Sequence, residues 1–154
     1  MSFSVLMSIY TKESPCYLEE CFESLSSQTL KATEIILVED GPITGELSAV
    51  IDHYCFDLPV KRIKLKVNLG LASALNEGLK HCSNELVLRM DTDDVALPHR
   101  FERQVKFMQD NPDISVASAW VEERDNEMAA VGFLKVIPEN YCEILTFAKR
   151  RNPI

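Results

Sequence analysis

Three short apolar runs with almost no polar interruption, Val5-Leu6-Met7-Ser8-Ile9, Ile35-Ile36-Leu37-Val38 and Leu86-Val87-Leu88, constrain the fold of this chain more than any other feature. A strand with one wet face alternates apolar and polar residues, whereas a strand covered on both faces has no need to. Between the runs, apolar residues recur every three or four positions, as on the buried stripe of a helix. The stripes are Leu18, Cys21, Phe22 and Leu25 after Ser14-Pro15; Leu47, Val50, Ile51 and Tyr54; Leu71, Leu75 and Leu79; and Phe101, Val105 and Met108 after Pro98. Adding a third strand over residues 60–67 and a fifth near residues 114–119 gives the order β-α-β-α-β-α-β-α-β. That order predicts an α/β fold, a doubly wound, mostly parallel sheet with helices on both faces, of Rossmann-like type. This unit is expected to occupy residues 1–120. Residues 121–154 read less clearly, with a strand or hairpin over 121–136 and a short helix over 139–149.

The length, 154 residues, suits one ordinary domain, and 46% apolar residues are ample for a buried core. A formal net charge of −8 argues against nucleic acid or an anionic bilayer as the main partner, since both repel a surface of that sign. Only Lys149-Arg150-Arg151 forms a local basic patch. An anionic substrate therefore needs a metal ion or a few local cations to bind. The five cysteines (Cys16, Cys21, Cys55, Cys82, Cys142) are an odd number with no two-residue metal or redox spacing, and read as reduced cytosolic thiols. No apolar run approaches the roughly 20 residues of a membrane-spanning helix.

In open α/β sheets, ligands bind beyond the carboxyl ends of the strands. The residues at those ends are Ser8-Ile9-Tyr10, then Glu39-Asp40-Gly41, then Arg89-Met90-Asp91-Thr92-Asp93-Asp94. Three distant segments thus bring an aromatic ring, an acidic pair and an acidic triplet to one edge. If the triplet is extended, Asp91 and Asp93 project to the same side and Asp94 elsewhere. Two carboxylates about 4 Å apart repel by about 4 kcal/mol at an effective dielectric of 20, so such a cluster calls for a cation. Oxygen ligands without His or Cys suit Mg²⁺ or Mn²⁺. Taken one at a time, each feature has a plainer reading: the aspartates as turn or cap residues, Asp40 as a turn residue before Gly41, Tyr10 as packing, and Arg89 or Arg100 as surface ion-pair partners rather than diphosphate ligands. Asn68-Leu69-Gly70, ahead of the third helix, is either an ordinary loop or a place where backbone approaches a ligand. His53, His81 and His99 are scattered and form no triad.

Taken together, Ser4-Val5-Leu6-Met7-Ser8-Ile9-Tyr10, Glu34-Ile35-Ile36-Leu37-Val38-Glu39-Asp40-Gly41, Asn68-Leu69-Gly70, Leu75-Asn76-Glu77-Gly78, and Arg89-Met90-Asp91-Thr92-Asp93-Asp94 followed by Leu97-Pro98-His99-Arg100-Phe101 and Gln104 resemble the bacterial family 2 glycosyltransferases of GT-A fold. Within them the resemblance is to the branch that builds O-antigen and capsular polysaccharide, and it runs from Ser4 to about Ala119. It implies an inverting, metal-dependent enzyme moving a hexose or N-acetylhexosamine from a UDP donor to a saccharide or lipid-linked saccharide. Such an enzyme works in the cytoplasm, where it can associate peripherally with the inner membrane face. By position, Tyr10 would stack on uracil, Asp40 would bond the base and Asp91 the ribose, with Ser8, Asn68, Gly70 and Arg89 also on the nucleotide. Asp93 would hold the Mn²⁺ or Mg²⁺, with Asp94 beside it and the donor sugar.

Two departures qualify what the resemblance implies. Thr11 stands where an asparagine usually follows the tyrosine. The family's general base lies in an acidic motif downstream of the donor half, and this chain reaches Arg151-Asn152-Pro153-Ile154 about where that half would begin. Glu122, Glu123, Asp125 and Glu127 do not match the setting of that base and read as a solvated loop. The expectation is a truncated form or natural fragment that binds donor and transfers poorly or not at all, with the catalytic base absent. A non-catalytic nucleotide-binding module is the main rival. A receiver-type phosphoryl-transfer domain would want acidic residues after the first strand, and a sugar-phosphate nucleotidyltransferase a glycine-rich basic loop there; Tyr10-Thr11-Lys12-Glu13-Ser14-Pro15 is neither.

Overall fold

The computed structural model describes residues 2–125, 130–136 and 138–149. The chain forms two compact units, residues 1–107 and 108–154. In the first, four parallel strands, β1 (Ser4–Ile9), β2 (Glu34–Glu39), β3 (Val60–Lys64) and β4 (Val87–Arg89), lie in the order β3-β2-β1-β4. Helices α1 (Pro15–Ser26), α2 (Gly45–Tyr54) and α3 (Leu71–Leu79) connect them, and α4 (Arg100–Asp110) follows β4. This is the doubly wound parallel α/β sheet that the apolar runs predict.

The two-residue period of the strands divides the core into two layers. Val5, Met7 and Ile9 of β1 and Ile35 and Leu37 of β2 pack with Leu18, Phe22 and Leu25 of α1, Leu47 and Ile51 of α2, and Phe101 and Val105 of α4. Leu6, Ile36 and Val38 face the other way, onto Ala74 of α3. The approach of α3 depends on Gly78, where a Cβ would lie 2.6 Å from Leu6 Cδ1 and from Val38 Cγ2. Local signals agree with the packing. Pro15 opens α1 with its fixed φ, and Thr44 caps α2 by accepting from Leu47 N at 3.2 Å. On the edge strand β3, Lys61 and Lys64 are exposed, charges that discourage pairing with another chain.

The second unit contains an antiparallel pair, β5 (Val121–Arg124) and β6 (Ala130–Lys135), then α5 (Tyr141–Ala148), capped by Asn140 on Glu143 N at 3.0 Å. The hairpin and helix expected after residue 120 are both present. The fifth strand expected near residues 114–119 is not: residues 116–120 are irregular, and Ile114 and Val116 are exposed. An alternating apolar run becomes a strand only where a neighbour offers a hydrogen-bonded ladder, and no described strand pairs with this segment. Among the described residues no helix is long and apolar enough to cross a membrane. Arg150 and Arg151 of the basic run and Glu127 lie outside the described residues.

At the amino ends of the strands, away from the rim considered next, Glu34 is buried and fully bonded. It accepts from Ser4 Oγ at 2.6 Å, Lys61 Nζ at 2.6 Å, and Ser83 N and Oγ at 2.6 and 2.7 Å. Burial alone would raise its carboxyl, but the Lys61 ammonium and the Ser4 and Ser83 donors outweigh it and hold the group down at about 2. A carboxyl depressed on folding adds stability above its ordinary unfolded value near 4.5 and loses it as pH falls toward 2. Glu34→Gln is therefore expected to cost about 1–3 kcal/mol at pH 7 in urea unfolding and to flatten the fall in stability between pH 4.5 and 2; an unchanged acid limb would refute the account.

Candidate functional site

Because the four strands run the same way, β1, β2 and β4 deliver their carboxyl ends to one rim. The end of β1 sits in the middle. Asp40 N, just past β2, donates to Ile9 O at 2.7 Å. On the other side Met90 N donates to Leu6 O at 3.0 Å, and two residues later the Thr92 hydroxyl lies 3.5 Å from Ser8 O. Ser8, Tyr10, Asp40 and the triplet are thus tied to one stretch of backbone.

The Asp40 carboxylate is only 4% exposed and accepts from Leu69 N at 2.7 Å and Gly70 N at 3.0 Å, so it fastens the loop ahead of α3. Asn68 answers by donating Nδ2 to Asp40 O at 3.1 Å. Two glycines make this closure feasible. Gly41 and Gly70 both have φ +84, and a Cβ on Gly41 would lie 2.7 Å from Asn68 N. Glu39, the other member of the acidic pair, does not serve the rim: it is buried and paired with Arg62 at 2.5 Å, and Arg62 also pairs with Asp52.

The triplet is a turn, not an extended segment. Asp94 N donates to Asp91 O at 3.3 Å around Thr92 and Asp93, so the alternation expected of Asp91 and Asp93 does not hold. Thr92 turns inward at 2% exposure, while Asp93 and Asp94 stand exposed. Asp91 is gripped by Arg89, whose Nη2 reaches Oδ1 at 2.7 Å and Oδ2 at 2.9 Å. Arg100 turns back onto the protein, donating to Arg89 O at 2.9 Å and Gln104 at 3.1 Å. Desolvation, then the charges of Asp91 and Asp93, hold the Asp94 carboxyl above its ordinary value, against the opposing pull of Arg100 and Arg89.

Several residues that sequence reasoning passed over hold this loop in place. Gln28 is buried, donates to Ser24 O, Ala96 O and Leu97 O at 3.1, 3.1 and 2.9 Å, and accepts from Phe101 N at 3.1 Å. Ser24 Oγ accepts from Ala96 N at 3.0 Å, and Cys21 Sγ lies 3.5 Å from Asp91 O. Glu13 accepts from Thr92 Oγ1 at 2.9 Å. Their sequence signals are slight: Ser24 is a polar residue among the apolar positions of α1, and Gln28 comes two residues after that helix ends.

Among the described residues no three His, Cys, Asp or Glu side chains gather as a ready-made metal cage. One or two oxygen ligands from Asp93 and Asp94 fit a hard divalent ion of the kind that completes its shell with phosphate and water. In the second unit Glu122 pairs with Arg124 at 2.6 Å, and Glu123 is exposed on the same strand. Gly41→Ala is expected to strain the left-handed backbone and push the loop of residues 67–70 off Asp40, costing about 1–3 kcal/mol by urea unfolding. A variant as stable as the parent would show that the close approach is not required.

Comparison with known proteins bears on the family and the fold. The amylovoran biosynthesis glycosyltransferase AmsE of Erwinia amylovora is 46% identical over 98% of this chain and 56% of its own length. The UDP-Gal:alpha-D-GlcNAc-diphosphoundecaprenol beta-1,3-galactosyltransferase of Escherichia coli is 41% identical over 98% of this chain and 54% of its own. The chain thus spans about half the length of the curated relatives it matches. Among solved structures, S. aureus TarS 1–349 in complex with UDP-GlcNAc superimposes with a TM-score of 0.65 at 28% identity, over 73% of this chain and 32% of that one, and shares the GT-A fold. The model of glycosyl transferase family 2 matches residues 4–139, and the chain belongs to that family.

Proposed function

We propose that this chain is the donor-binding half of an inverting, metal-dependent glycosyltransferase, with residues 1–120 binding a nucleotide sugar and residues 121–154 beginning the acceptor side. The convergence of Tyr10, Asp40 and the Asp91–Asp94 turn on the end of β1 carries this reading. Tyr10, 43% exposed just past β1, offers a ring face to uracil. Asp40 keeps a free lone pair on each oxygen with which to accept from the base while holding Leu69 and Gly70. Ser8, Asn68, Gly70 and Arg89 line the nucleotide, and Asp91 reaches the ribose. Its pairing with Arg89 offsets one negative charge close to the diphosphate.

Asp93 and Asp94 would hold Mn²⁺ or Mg²⁺, which when bound supplies a Lewis acid that neutralises charge on the departing nucleoside diphosphate. An acceptor hydroxyl, deprotonated by a general base, would attack the opposite face of the sugar and invert the anomeric centre as the nucleoside diphosphate leaves. The UDP-GlcNAc of the TarS complex and the substrates in the name of the Escherichia coli relative support a UDP-hexose or UDP-N-acetylhexosamine donor and a saccharide or lipid-linked acceptor. The Erwinia relative's name, an amylovoran biosynthesis glycosyltransferase, supports a place in polysaccharide synthesis; the location that goes with this reading is the cytoplasm, at the inner face of the membrane. The rival, a non-catalytic nucleotide-binding module, draws on the engagement of Glu122 with Arg124, which leaves that carboxylate poorly placed as a base.

Titration calorimetry with UDP tests the reading. Affinity is expected to be at least about tenfold higher in Mn²⁺ than in chelator, equivalent to ~1.4 kcal/mol, and Asp93→Ala is expected to bring the Mn²⁺ value down to the chelator value. Equal affinity under both conditions in the parent chain would contradict the metal role of the turn.

A further inference from the structure

Thr92, the second residue of the acidic turn, carries no charge and is 2% exposed, yet it makes the one side-chain bond seen between that turn and the loop following β1 among the described residues. Its hydroxyl lies 2.9 Å from Glu13 Oε2 and 3.5 Å from Ser8 O. A hydroxyl has a single proton, and the nearer, charged acceptor takes it. Glu13 is in turn locked to the Tyr10 loop: its N donates to Tyr10 O at 3.2 Å, and its Oε1 accepts from Ser14 N at 3.1 Å. A chain of bonds therefore runs from Asp91–Asp94, through Thr92 and Glu13, to the backbone of Tyr10, joining segments 79 residues apart.

The Glu13 carboxylate carries both ends of this link, accepting from the Thr92 hydroxyl at Oε2 and from Ser14 N at Oε1. With the Thr92 hydroxyl in place it is held, and holding it fixes the turn that presents Tyr10. Inward anchoring of Thr92 also sets which way the turn faces, leaving Asp93 exposed beside it.

We propose that Thr92 is a positioning residue that couples the base-side loop of Tyr10 to the metal-side turn of Asp93 through Glu13, so that the divalent ion and the nucleotide base reinforce one another's binding. This rests on the nucleotide-sugar reading of the same site. The coupling is a ratio, the affinity for UDP in Mn²⁺ divided by that in chelator, and by linkage it equals the effect of UDP on Mn²⁺ binding.

Calorimetry on the chain, with UDP as ligand and Mn²⁺ or chelator in the buffer, measures that ratio. Thr92→Val, which keeps shape and removes the hydroxyl, is expected to lower it by roughly tenfold, as for loss of a hydrogen bond to a charged group. Thr92→Ser restores the ratio. Glu13→Ala, which removes the acceptors of both Ser14 N and Thr92, lowers it in the same direction even if the valine variant folds poorly. Uridine, which lacks the diphosphate, binds the valine variant less tightly than the parent because the Tyr10 loop is released. If Thr92→Val and Glu13→Ala keep the parent ratio, or lose UDP affinity equally with and without Mn²⁺, the positioning role is overturned while the nucleotide-sugar reading stands. A parent chain with no Mn²⁺-dependent UDP binding overturns both.

Discussion

Parallel strand direction is the constraint on which the rest of this molecule depends. With β3, β2, β1 and β4 all running one way, every strand ends at the same rim, and the central position of β1 puts its last residues between the ends of β2 and β4. Asp40 reaches the rim because its N–H continues the β1–β2 ladder onto Ile9 O, and the acidic turn reaches it because β4 stops early, Arg89 standing level with Leu6. Reversing one strand would send its loop to the far side. The energy that enforces the arrangement comes from elsewhere, from two apolar layers in which each buried Leu, Ile or Phe contributes about 1.5–3 kcal/mol, against entropic costs of similar total size.

On that scaffold, the chemistry is set by how each carboxylate is neutralised. Asp40 is held by two backbone N–H groups, Asp91 by the Arg89 guanidinium, Glu13 by Thr92 and Ser14, and Glu39 by Arg62. Asp93 and Asp94 remain as exposed carboxylates at the head of the turn, and the raised carboxyl of Asp94 reflects both its desolvation and the charges nearby. The contrast with Glu34 is instructive. There the same residue chemistry, surrounded by Ser4, Lys61 and Ser83, produces a deeply stabilised anion with no capacity left for a ligand. Carboxylates already bonded within the protein hold the frame, and Asp93 and Asp94, exposed at the head of the turn, are the pair we propose for the divalent ion.

Much of the fold was legible in the letters because strands covered on both faces leave a signature that few other structures share. The runs at Val5, Ile35 and Leu86 became β1, β2 and the neighbourhood of β4, and the helical stripes became α1 to α4. Where pattern failed, partners decided. Residues 114–119 alternate like a strand but meet no ladder, so they stay irregular. The candidate site divides in the same way. Its acidic composition could be read directly, since aspartates crowded after an apolar run are conspicuous. Their orientation could not: Asp91 turns to Arg89, and Thr92 and Asp93 curl into a turn rather than extending. Nor did Glu13, Gln28 and Thr92 announce themselves. Each is an ordinary polar residue whose role comes from bonds to groups 68 to 79 positions away, and such pairings exist only after folding.

The central claim is that one rim of the parallel sheet grips a nucleoside diphosphate through a divalent ion held by Asp93. Anomalous scattering from a crystal of this chain grown with UDP and Mn²⁺ tests it most directly. The account predicts a single manganese peak within coordinating distance of an Asp93 carboxylate oxygen and both phosphates, with uracil against Tyr10 and within hydrogen-bond reach of Asp40. Manganese bound away from the turn, or a base lying clear of Tyr10 and Asp40, would contradict it.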